Sequence, residues 1–456
     1  MNVLLVSTYE LGHQPLHLAS PAARLRQLGH EVRCLDLAVE SWDEALMNWA
    51  EGVAFSVPMH TAMVLAQRAA KRLREGHPDL PVAFYGLYAA LGGDDATLIG
   101  GEYEAGLVTW AEGGIPARVE LRPQHFEVPD RSLVPPPDRY ARLAVGDEER
   151  LAGYVEASHG CRHRCRHCPI PVVYDGRYRI TGAEIVIDDL AQQVESGATH
   201  ITFGDPDFLN APRYSLDLLR AAHGRFPHLT FDVTVKVSHI LEQAAIWEEV
   251  AELGVVFVVS AFETTNDRIL TILDKGHTAA DMARAVQIMT AAGIDLRPSW
   301  LPFTPWTEPQ DIKEIFGFLR DHDLLATTDP VQLSIRLLVP PGSLLADRPE
   351  VDGYDEASMS YSWSYASPEV GAQQRRLATI AESGVGRPSL DTVTAMWEAV
   401  MEEPMPSVAP RPHPRLTEPW FCCAEPTQLQ LQAIGAGVSG QVSGVSSDPR
   451  SLISDP

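Results

Sequence analysis

Cysteine is scarce in this sequence, with six residues in 456. Six cysteines in so long a chain do not make the disulfide framework of a secreted protein, and five of them fall into two tight groups. These groups are Cys161, Cys165 and Cys168, and the adjacent pair Cys422 and Cys423. Such grouping is typical of metal or redox chemistry. The sixth cysteine, Cys34, ends an apolar strand pattern and is interpreted as a small core residue.

Positive charge is also in short supply. The 36 lysines and arginines stand against 61 aspartates and glutamates, which gives a formal net charge of −25. This balance argues against nucleic acid or an anionic membrane surface as a partner. No stretch approaches the roughly 20 consecutive apolar residues that a bilayer-spanning helix needs, and the amino-terminal run predicts a buried strand instead of a signal peptide. The cytoplasm is the expected compartment.

No internal repeat is visible, and the length suits two or three domains. The first part alternates short apolar runs with amphipathic segments, the pattern of a parallel sheet. Strands are predicted over 2–6, 30–37, 53–57, 82–85 and 96–99, with helices over 22–28 and 61–74. This pattern predicts an α/β, doubly wound, Rossmann-like domain over residues 1–115.

Strands and helices alternate again after a proline-rich linker, which we place at residues 116–147. Strands are predicted over 154–157, 200–203, 230–235, 255–260, 295–301 and 331–338. A complete or partial βα barrel of the TIM type is therefore expected over 148–345. A carboxyl-terminal cap over 346–427 and a flexible tail over 428–456 complete the predicted organisation, with one helix over 373–382.

The first cysteine group has the spacing CxxxCxxC and directly follows a predicted strand. Three thiolates ligate three irons of a 4Fe-4S cluster and leave the fourth iron open, as direct binding of a substrate or cofactor requires. The alternative is a zinc site that combines these cysteines with the interleaved His159, His163 and His167. Zinc motifs favour paired CxxC units with a second pair further on, and no second pair follows here.

This motif at the end of a first barrel strand resembles the radical S-adenosylmethionine (SAM) superfamily. The resemblance implies that Cys161, Cys165 and Cys168 bind the cluster and that SAM binds its open iron. The residue before the last cysteine usually flanks the adenine of SAM. Here it is His167, where the superfamily prefers Tyr or Phe, so a hydrogen bond that tunes the cluster is the alternative role.

Further positions in the predicted barrel resemble SAM-binding elements of that superfamily. Gly204 and Asp205 stand where a Gly-Gly-Glu-Pro element contacts the SAM ammonium, although Gly-Asp-Pro-Asp is also good turn chemistry. Lys236, in a β-branched strand pattern, is the expected partner of the SAM carboxylate, or an ordinary edge lysine. Glu263 resembles a ribose contact, and Arg336 is a further candidate for an inward charge.

The amino-terminal domain resembles the cobalamin-binding domain of one radical SAM class. Its strand order, its length and the element from Gly100 to Glu104 carry the likeness. The signature Asp-x-His-x-x-Gly is absent, and the loop that follows the first strand instead contains His13 and His17. Fold alone does not establish a ligand, so the sequence leaves cobalamin open as a third cofactor.

Cys422 and Cys423 stand in a Cys-Cys-Ala-Glu-Pro element that resembles the CUAEP/CCAEP-tail radical SAM proteins. Adjacent thiols hold a soft, thiophilic centre well, which suggests a catalytic role on a substrate containing arsenic, selenium or sulfur. Two buried apolar thiols beside Trp420 and Phe421 are the structural alternative.

The resemblance implies an enzyme that cleaves SAM reductively and transfers a SAM-derived group to a small molecule. A 3-amino-3-carboxypropyl group passed to a soft centre is one hypothesis, and cobalamin-dependent methyl transfer to carbon or a heteroatom is another. The resemblance also implies an external electron donor such as flavodoxin or ferredoxin. A non-enzymatic iron-sulfur or cobalamin sensor is the alternative from a different class.

Overall fold

The computed structural model describes residues 1–408 and 411–418 of the chain. Cys422 and Cys423 lie outside these described residues. Among the described residues, no helix combines the length and the apolar character needed to cross a bilayer.

The amino-terminal domain is built on a parallel sheet with strand order β2-β1-β3-β4-β5-β6. Its central strands are continuous apolar runs because helices cover both faces of the sheet. The strands are β1 (Asn2–Ser7), β2 (Glu31–Asp36), β3 (Gly52–Ser56), β4 (Val82–Tyr85), β5 (Thr97–Gly101) and β6 (Val119–Glu120). The helices are α1 (Leu16–Gln27), α2 (Glu44–Trp49), α3 (His60–Gly76) and α4 (Glu104–Ala111). The predicted doubly wound fold is confirmed.

The second sheet has the order β14-β13-β12-β11-β8-β7-β17, and its five strands from β14 to β8 are parallel. Its strands are β7 (Arg142–Val145), β8 (Glu148–Val155), β11 (His200–Phe203), β12 (Thr230–Thr234), β13 (Val255–Glu263), β14 (Asp295–Trp300) and β17 (Arg415–Leu416). A small antiparallel pair stands apart from it, β9 (Ser158–Gly160) with β10 (Tyr178–Ile180). The intervening helices are α5 (Ile170–Tyr174), α6 (Ala183–Glu195), α7 (Pro212–Arg225), α8 (Val237–Glu242), α9 (Trp247–Glu252), α10 (Asp267–Ile272), α11 (Ala279–Ala292) and α12 (Pro309–Asp321). This is the predicted partial barrel.

The remaining described elements tie the two sheets together. They are β15 (Val351–Asp355), β16 (Ser360–Trp363), α13 (Pro368–Ser383), α14 (Ser389–Met401) and β17 (Arg415–Leu416). Met359, in the turn between β15 and β16, packs into the core of the amino-terminal domain. Strand β17 pairs antiparallel with β7, so the chain returns to the edge of the barrel sheet just before Glu418.

Two expectations about the barrel were wrong. The strand predicted over 331–338 is a 3₁₀ turn, Pro330–Ser334, followed by a single bridge between Phe303 and Arg336. Pro330 starts this turn because its ring fixes φ near −65° and it has no N–H for a ladder. Lys236 also lies beyond its strand, since β12 ends at Thr234 and Lys236 is the residue that precedes α8.

Candidate active site

A cavity of about 390 Å³ lies where the carboxyl ends of the strands in both parallel sheets meet. The amino-terminal domain contributes residues at or after the ends of β1, β3, β4 and β5. They include Glu10, His13, His17, Pro58, Met59, Gly86, Tyr88, Gly101 and Tyr103. The barrel contributes residues at the ends of β8, β11, β12, β13 and β14. Ligands of α/β folds bind at this end of parallel strands, so both domains present their binding edges to one space.

The cysteine loop forms part of the cavity wall. Strands β9 and β10 bracket the loop, and Cys161 and Cys165 are each 8% exposed, while Cys168 is half-buried. Two backbone hydrogen bonds fix the loop: the N–H of Cys168 donates to the carbonyl of Cys165 at 3.1 Å, and Arg166 donates to Leu273 at 2.9 Å. None of the three cysteines forms a disulfide, and all three line the cavity.

The chemistry of these thiols fits an iron-sulfur cluster. Burial raises the pKa of Cys161 to about 11, and ligation by a metal ion would deprotonate this thiol. The remaining cysteine of the described residues, Cys34, lies on β2 in the amino-terminal core and not in the cavity wall. The described part of the cavity therefore offers three cysteine ligands, the number that leaves one iron of a 4Fe-4S cluster open.

The three histidines of the motif turn toward different carboxylates and do not gather with the cysteines. His159 Nδ1 lies 3.0 Å from Glu102, and His167 Nε2 lies 3.0 Å from Glu263. His163 Nε2 lies 3.4 Å from Asp207. The zinc alternative needs these rings to share one metal with the thiols, and these contacts give no support to it.

His163 belongs to a buried polar group next to the cysteine loop. Asp207 Oδ2 lies 2.8 Å from His239 Nδ1 as well, and the ligand atoms of His163, Asp207 and His239 all lie within 4.8 Å of one another. Lys236 Nζ lies 3.4 Å from the other ring nitrogen of His163. These contacts connect the loop between Cys161 and Cys165 to helix α8.

Asp205 and Gly204 line the cavity beside the loop, as their positions after β11 predict. Asp205 is buried and accepts hydrogen bonds from the backbone N–H of Ala157 at 2.9 Å and from the hydroxyl of Ser158. Burial raises the pKa of Asp205 to about 7, against the lowering effect of those hydrogen bonds. A β-carbon on Gly204 would lie 1.9 Å from the hydroxyl oxygen of Tyr154, so only glycine fits there.

Glu263 anchors the opposite wall of the cavity. Its carboxylate oxygen Oε1 accepts from Lys275 Nζ at 2.9 Å and lies 3.0 Å from His167 Nε2. Burial favours the neutral acid, but Lys275 and His167 outweigh it and hold the pKa of Glu263 well below its usual range. Glu263 has a φ of +65°, a strained value for a residue that is not glycine, and such strain concentrates at functional sites.

The other predicted residues fall in three places. Lys236 lines the cavity. Arg336 is not among the cavity-lining residues, and its guanidinium lies 5.3 Å from the centre of the Trp363 ring. Cys422 and Cys423 lie outside the described residues, whereas Glu418, four positions before Cys422, lies in the cavity wall and accepts a hydrogen bond from Tyr9 at 2.9 Å.

Sequence reasoning missed a charged network that crosses between the domains. Glu156, directly after β8, lies 3.7 Å from His17 of the amino-terminal domain and 3.5 Å from His159. Burial opposes protonation of both rings, but Glu10 and Glu156 raise the pKa of His17 to about 9. Burial is likewise outweighed at His159, where Glu102 and Glu156 raise the pKa to about 10. The only sequence signal was a carboxylate at a strand end, which is weak by itself.

Comparison with known proteins agrees with this geometry. Residues 155–315 match the model of the radical SAM superfamily. The hopanoid C-3 methylase of Methylococcus capsulatus is 26% identical over 326 residues, which cover 63% of this chain and 62% of the methylase. The hopanoid C-2 methylase of Rhodopseudomonas palustris is 25% identical over 158 residues, 32% of this chain and 29% of that protein. The chain thus spans less than two thirds of each of these relatives.

Solved structures share the fold of most of the chain. The radical SAM methyltransferase TsrM of Kitasatospora setae, determined with tryptophan and a SAM analogue, superposes with a TM-score of 0.64 at 16% identity, covering 86% of this chain and 92% of TsrM. The cobalamin-dependent radical SAM enzyme OxsB, with aqua-cobalamin bound, gives a TM-score of 0.61 at 14% identity, covering 84% of this chain and 67% of OxsB. Residues 155–315 therefore form a domain of the radical SAM type, and most of the chain shares its fold with these two enzymes.

Proposed function

We propose that this protein is a cobalamin-dependent radical SAM methyltransferase that acts on a small molecule. One observation carries the proposal: the three cysteines and the strand ends of the amino-terminal sheet line the same cavity. Two cofactors bound at these edges would face each other across one space. The names of the relatives, two methylases and a methyltransferase, support transfer of a methyl group over the other hypotheses.

The barrel side of the cavity would hold the cluster and SAM. Cys161, Cys165 and Cys168 would ligate three irons. Asp205 is a carboxylate suited to the SAM ammonium, and Lys236 is an ammonium suited to the SAM carboxylate. Glu263 and His167 would contact the ribose and the adenine. When bound, the cluster supplies the electron that breaks a carbon-sulfur bond of SAM.

The amino-terminal side of the cavity would hold cobalamin. Burial lowers the pKa of His13 to about 4, against the raising effect of Asp232 and Glu10, so its imidazole is neutral at pH 7. A neutral imidazole has a free lone pair for a metal. His13 stacks on Tyr154 with the ring centres 4.6 Å apart, which places it where the two domains meet. When bound, cobalamin supplies a cobalt centre that carries the methyl group.

We also propose that the carboxyl-terminal pair, Cys422 and Cys423, takes part in catalysis. Four extended residues span at most about 14 Å, so Cys422 is within reach of the cavity wall at Glu418. The idea that Cys422 and Cys423 hold a soft arsenic, selenium or sulfur centre stays a prediction, and the relatives do not support it.

The test is anaerobic reconstitution with iron, sulfide and hydroxocobalamin, followed by addition of SAM and a reductant. Optical spectra report whether corrin is retained, and chromatography identifies the fate of SAM. Radical methyl transfer yields S-adenosylhomocysteine and 5'-deoxyadenosine. Transfer of a 3-amino-3-carboxypropyl group instead yields 5'-methylthioadenosine and would replace the proposal.

The variant C161A separates cluster chemistry from background, and C34S is its matched control at a cysteine outside the cavity wall. C161A is expected to lose SAM cleavage completely and C34S to retain it. Intact SAM in the wild-type reaction, with the cluster fully loaded, would contradict an enzymatic role and favour a sensor.

A further inference from the structure

The loop that carries the cluster cysteines is strongly basic in an otherwise acidic protein. Residues 162–180 contain five arginines and one aspartate, whereas the whole chain has a formal net charge of −25. Charge of this sign is unusual enough in this protein to need a physical reason. Three of the arginines, Arg162, Arg164 and Arg177, form what we call the cluster-loop patch.

The three arginines are neighbours around Gly176. A β-carbon placed on Gly176 would lie 3.5 Å from the carbonyl oxygen of Arg162 and 3.7 Å from Cδ of Arg164. Arg177 is the next residue in the chain. All three side chains are exposed, so the patch faces solvent.

The fold does not use these charges. Within residues 1–408 and 411–418, the guanidinium groups of Arg162 and Arg177 make neither a hydrogen bond nor an ion pair. Arg164 pairs at 2.9 Å with Asp175, which is itself exposed, and pairs of this kind contribute little to stability. Three like charges on neighbouring residues repel one another, and only Arg164 has an acidic partner among the described residues. Exposed guanidinium groups of this kind are able to pair with acidic groups of another molecule.

The patch lies on the outer side of the same loop whose inner side holds the cysteines. Arg162 follows Cys161 directly, and Arg164 precedes Cys165 directly. Both cysteines face the cavity, while both arginines face solvent. A partner seated on the patch would be separated from the cluster by little more than the loop itself.

An exposed apolar side chain lies on the helix that follows the cysteine loop. Val172, on the helix that follows the loop, is 38% exposed, and Leu344 is 39% exposed. The two come from segments in contact, because a β-carbon on Gly342 would lie 2.8 Å from Cγ1 of Val172. A small apolar area rimmed by charge is typical of transient protein partners.

We propose that the cluster-loop patch, with Val172 at its edge, docks an acidic one-electron carrier protein that reduces the cluster. The inference rests on the proposed function, which needs one electron for each SAM cleaved. In the docked complex the carrier loses one electron and the cluster gains it, and no bond forms or breaks. The overall charge of −25 repels an acidic partner from the rest of the surface, so the patch steers it to the loop.

The test compares the double variant R162E/R177E with R284E/R387E, which makes the same charge change at exposed arginines on other elements. Reduced flavodoxin is mixed with each reconstituted protein in an anaerobic stopped-flow instrument, and bleaching of the cluster absorbance gives the rate. At low ionic strength R162E/R177E is expected to be reduced about tenfold more slowly than R284E/R387E. The difference should shrink as salt is added.

Photoreduced 5-deazariboflavin, a small reductant, serves as the internal control. Equal reduction of all proteins by it shows that the cluster is intact, and equal reduction by flavodoxin as well would overturn the proposal. If R162E/R177E damages the loop, R162Q/R177Q replaces it, because it removes the two charges without reversing them. Its rate of reduction by flavodoxin is then compared with its rate of reduction by 5-deazariboflavin.

Binding supplies a second readout that does not depend on a loaded cluster. Oxidised flavodoxin should bind the apoprotein more weakly after R162E/R177E, with a smaller dependence on salt. Unchanged flavodoxin binding together with lost binding of a single-stranded RNA would assign the patch to nucleic acid and overturn the proposal. Because cluster bleaching is measured without substrate, a failure of methyl transfer leaves this test unaffected.

Discussion

Glu263 and Lys275 form a buried ion pair, 2.9 Å long, on the wall of the cavity that holds the three cysteines. Glu263 lies at the end of β13, and Lys275 lies in the turn after α10. The same carboxylate oxygen of Glu263 also contacts His167. The pair therefore fixes the residue next to Cys168 from the opposite side of the cavity.

Removing one charge of this pair should destabilise the protein strongly. E263Q keeps the size of the side chain but leaves the Lys275 ammonium buried without a carboxylate, which typically costs about 3 to 5 kcal/mol. The free energy of unfolding of the apoprotein in guanidinium chloride measures the effect. The double variant E263Q/K275M should recover part of the loss, since it removes both charges. A loss below about 1 kcal/mol for E263Q alone would contradict a buried pair of this strength.

Asp205 should make SAM binding depend on pH near neutrality. Its pKa is raised to about 7, and the proposed contact with the SAM ammonium requires the ionised carboxylate, so affinity should rise as the pH goes from 6 to 8. In D205N the affinity should be about tenfold lower at pH 8 and nearly constant over this range. Calorimetric titration of the reconstituted protein with SAM measures both effects. D188N, at an exposed surface pair, is the control and should behave like wild type. If SAM affinity depends on pH in D205N as it does in wild type, a group other than Asp205 causes that dependence.

His17 and His159 should make the protein less stable in alkaline solution. Both pKa values are raised in the folded state, to about 9 and about 10, so the folded state holds these protons more tightly than the unfolded state. The stabilisation is complete below the unfolded value near 6.5 and is lost as the pH rises through 9 and 10. For His17 the shift corresponds to about 3 kcal/mol.

The measurement is the difference in unfolding free energy between wild type and H17Q from pH 5 to pH 11. Taking the difference cancels groups common to both proteins, including Asp36, whose pKa burial raises to about 7. The difference should be largest below pH 6.5 and close to zero above pH 10. A difference that does not change with pH would show that the pKa of His17 is the same in the folded and unfolded protein, and a difference that falls below pH 6.5 would show that His17 is neutral when folded.

The sequence predicted the two sheets well because their strands are continuous apolar runs, and the strand over 200–203 agrees residue for residue. It missed helix α2, because six residues are too few to show a helical period of apolar positions. The Asp43 side chain caps this helix by accepting hydrogen bonds from the N–H groups of Ala45 and Leu46. The strand predicted over 331–338 is absent because Pro330 begins a 3₁₀ turn at the start of this apolar run.

The site was predictable where a motif was local and hidden where it was not. The spacing of the motif identifies Cys161, Cys165 and Cys168 as candidate ligands. The position of Asp205 directly after a predicted strand identifies it as a candidate site residue. The contact between His17 and Glu156 joins residues 139 positions apart, on two different sheets. No pattern in the chain marks such a pair, because only the packing of the domains brings it together.

Arg131, in the segment that the sequence predicts as a linker, contacts both domains. Its guanidinium donates to both carboxylate oxygens of Asp189 on α6, at 2.7 and 2.8 Å. It also donates to the carbonyl of Tyr154 on β8 at 2.7 Å and to the Gln14 side chain, in the loop after β1, at 3.3 Å. One buried cation thus joins the linker, the barrel and the loop that carries His13.

Replacing this cation should loosen the cavity as well as the fold. R131M leaves Asp189 buried and unpaired, which typically costs about 3 kcal/mol or more of unfolding free energy, and R131K should be intermediate because lysine lacks the five-donor fork. Because Gln14 adjoins His13, R131M should also weaken uptake of hydroxocobalamin, followed by absorbance titration of the apoprotein. R139M, at an exposed arginine of the same linker, should change neither quantity. Cobalamin uptake that survives in folded R131M would show that the loop after β1 holds its position without this arginine.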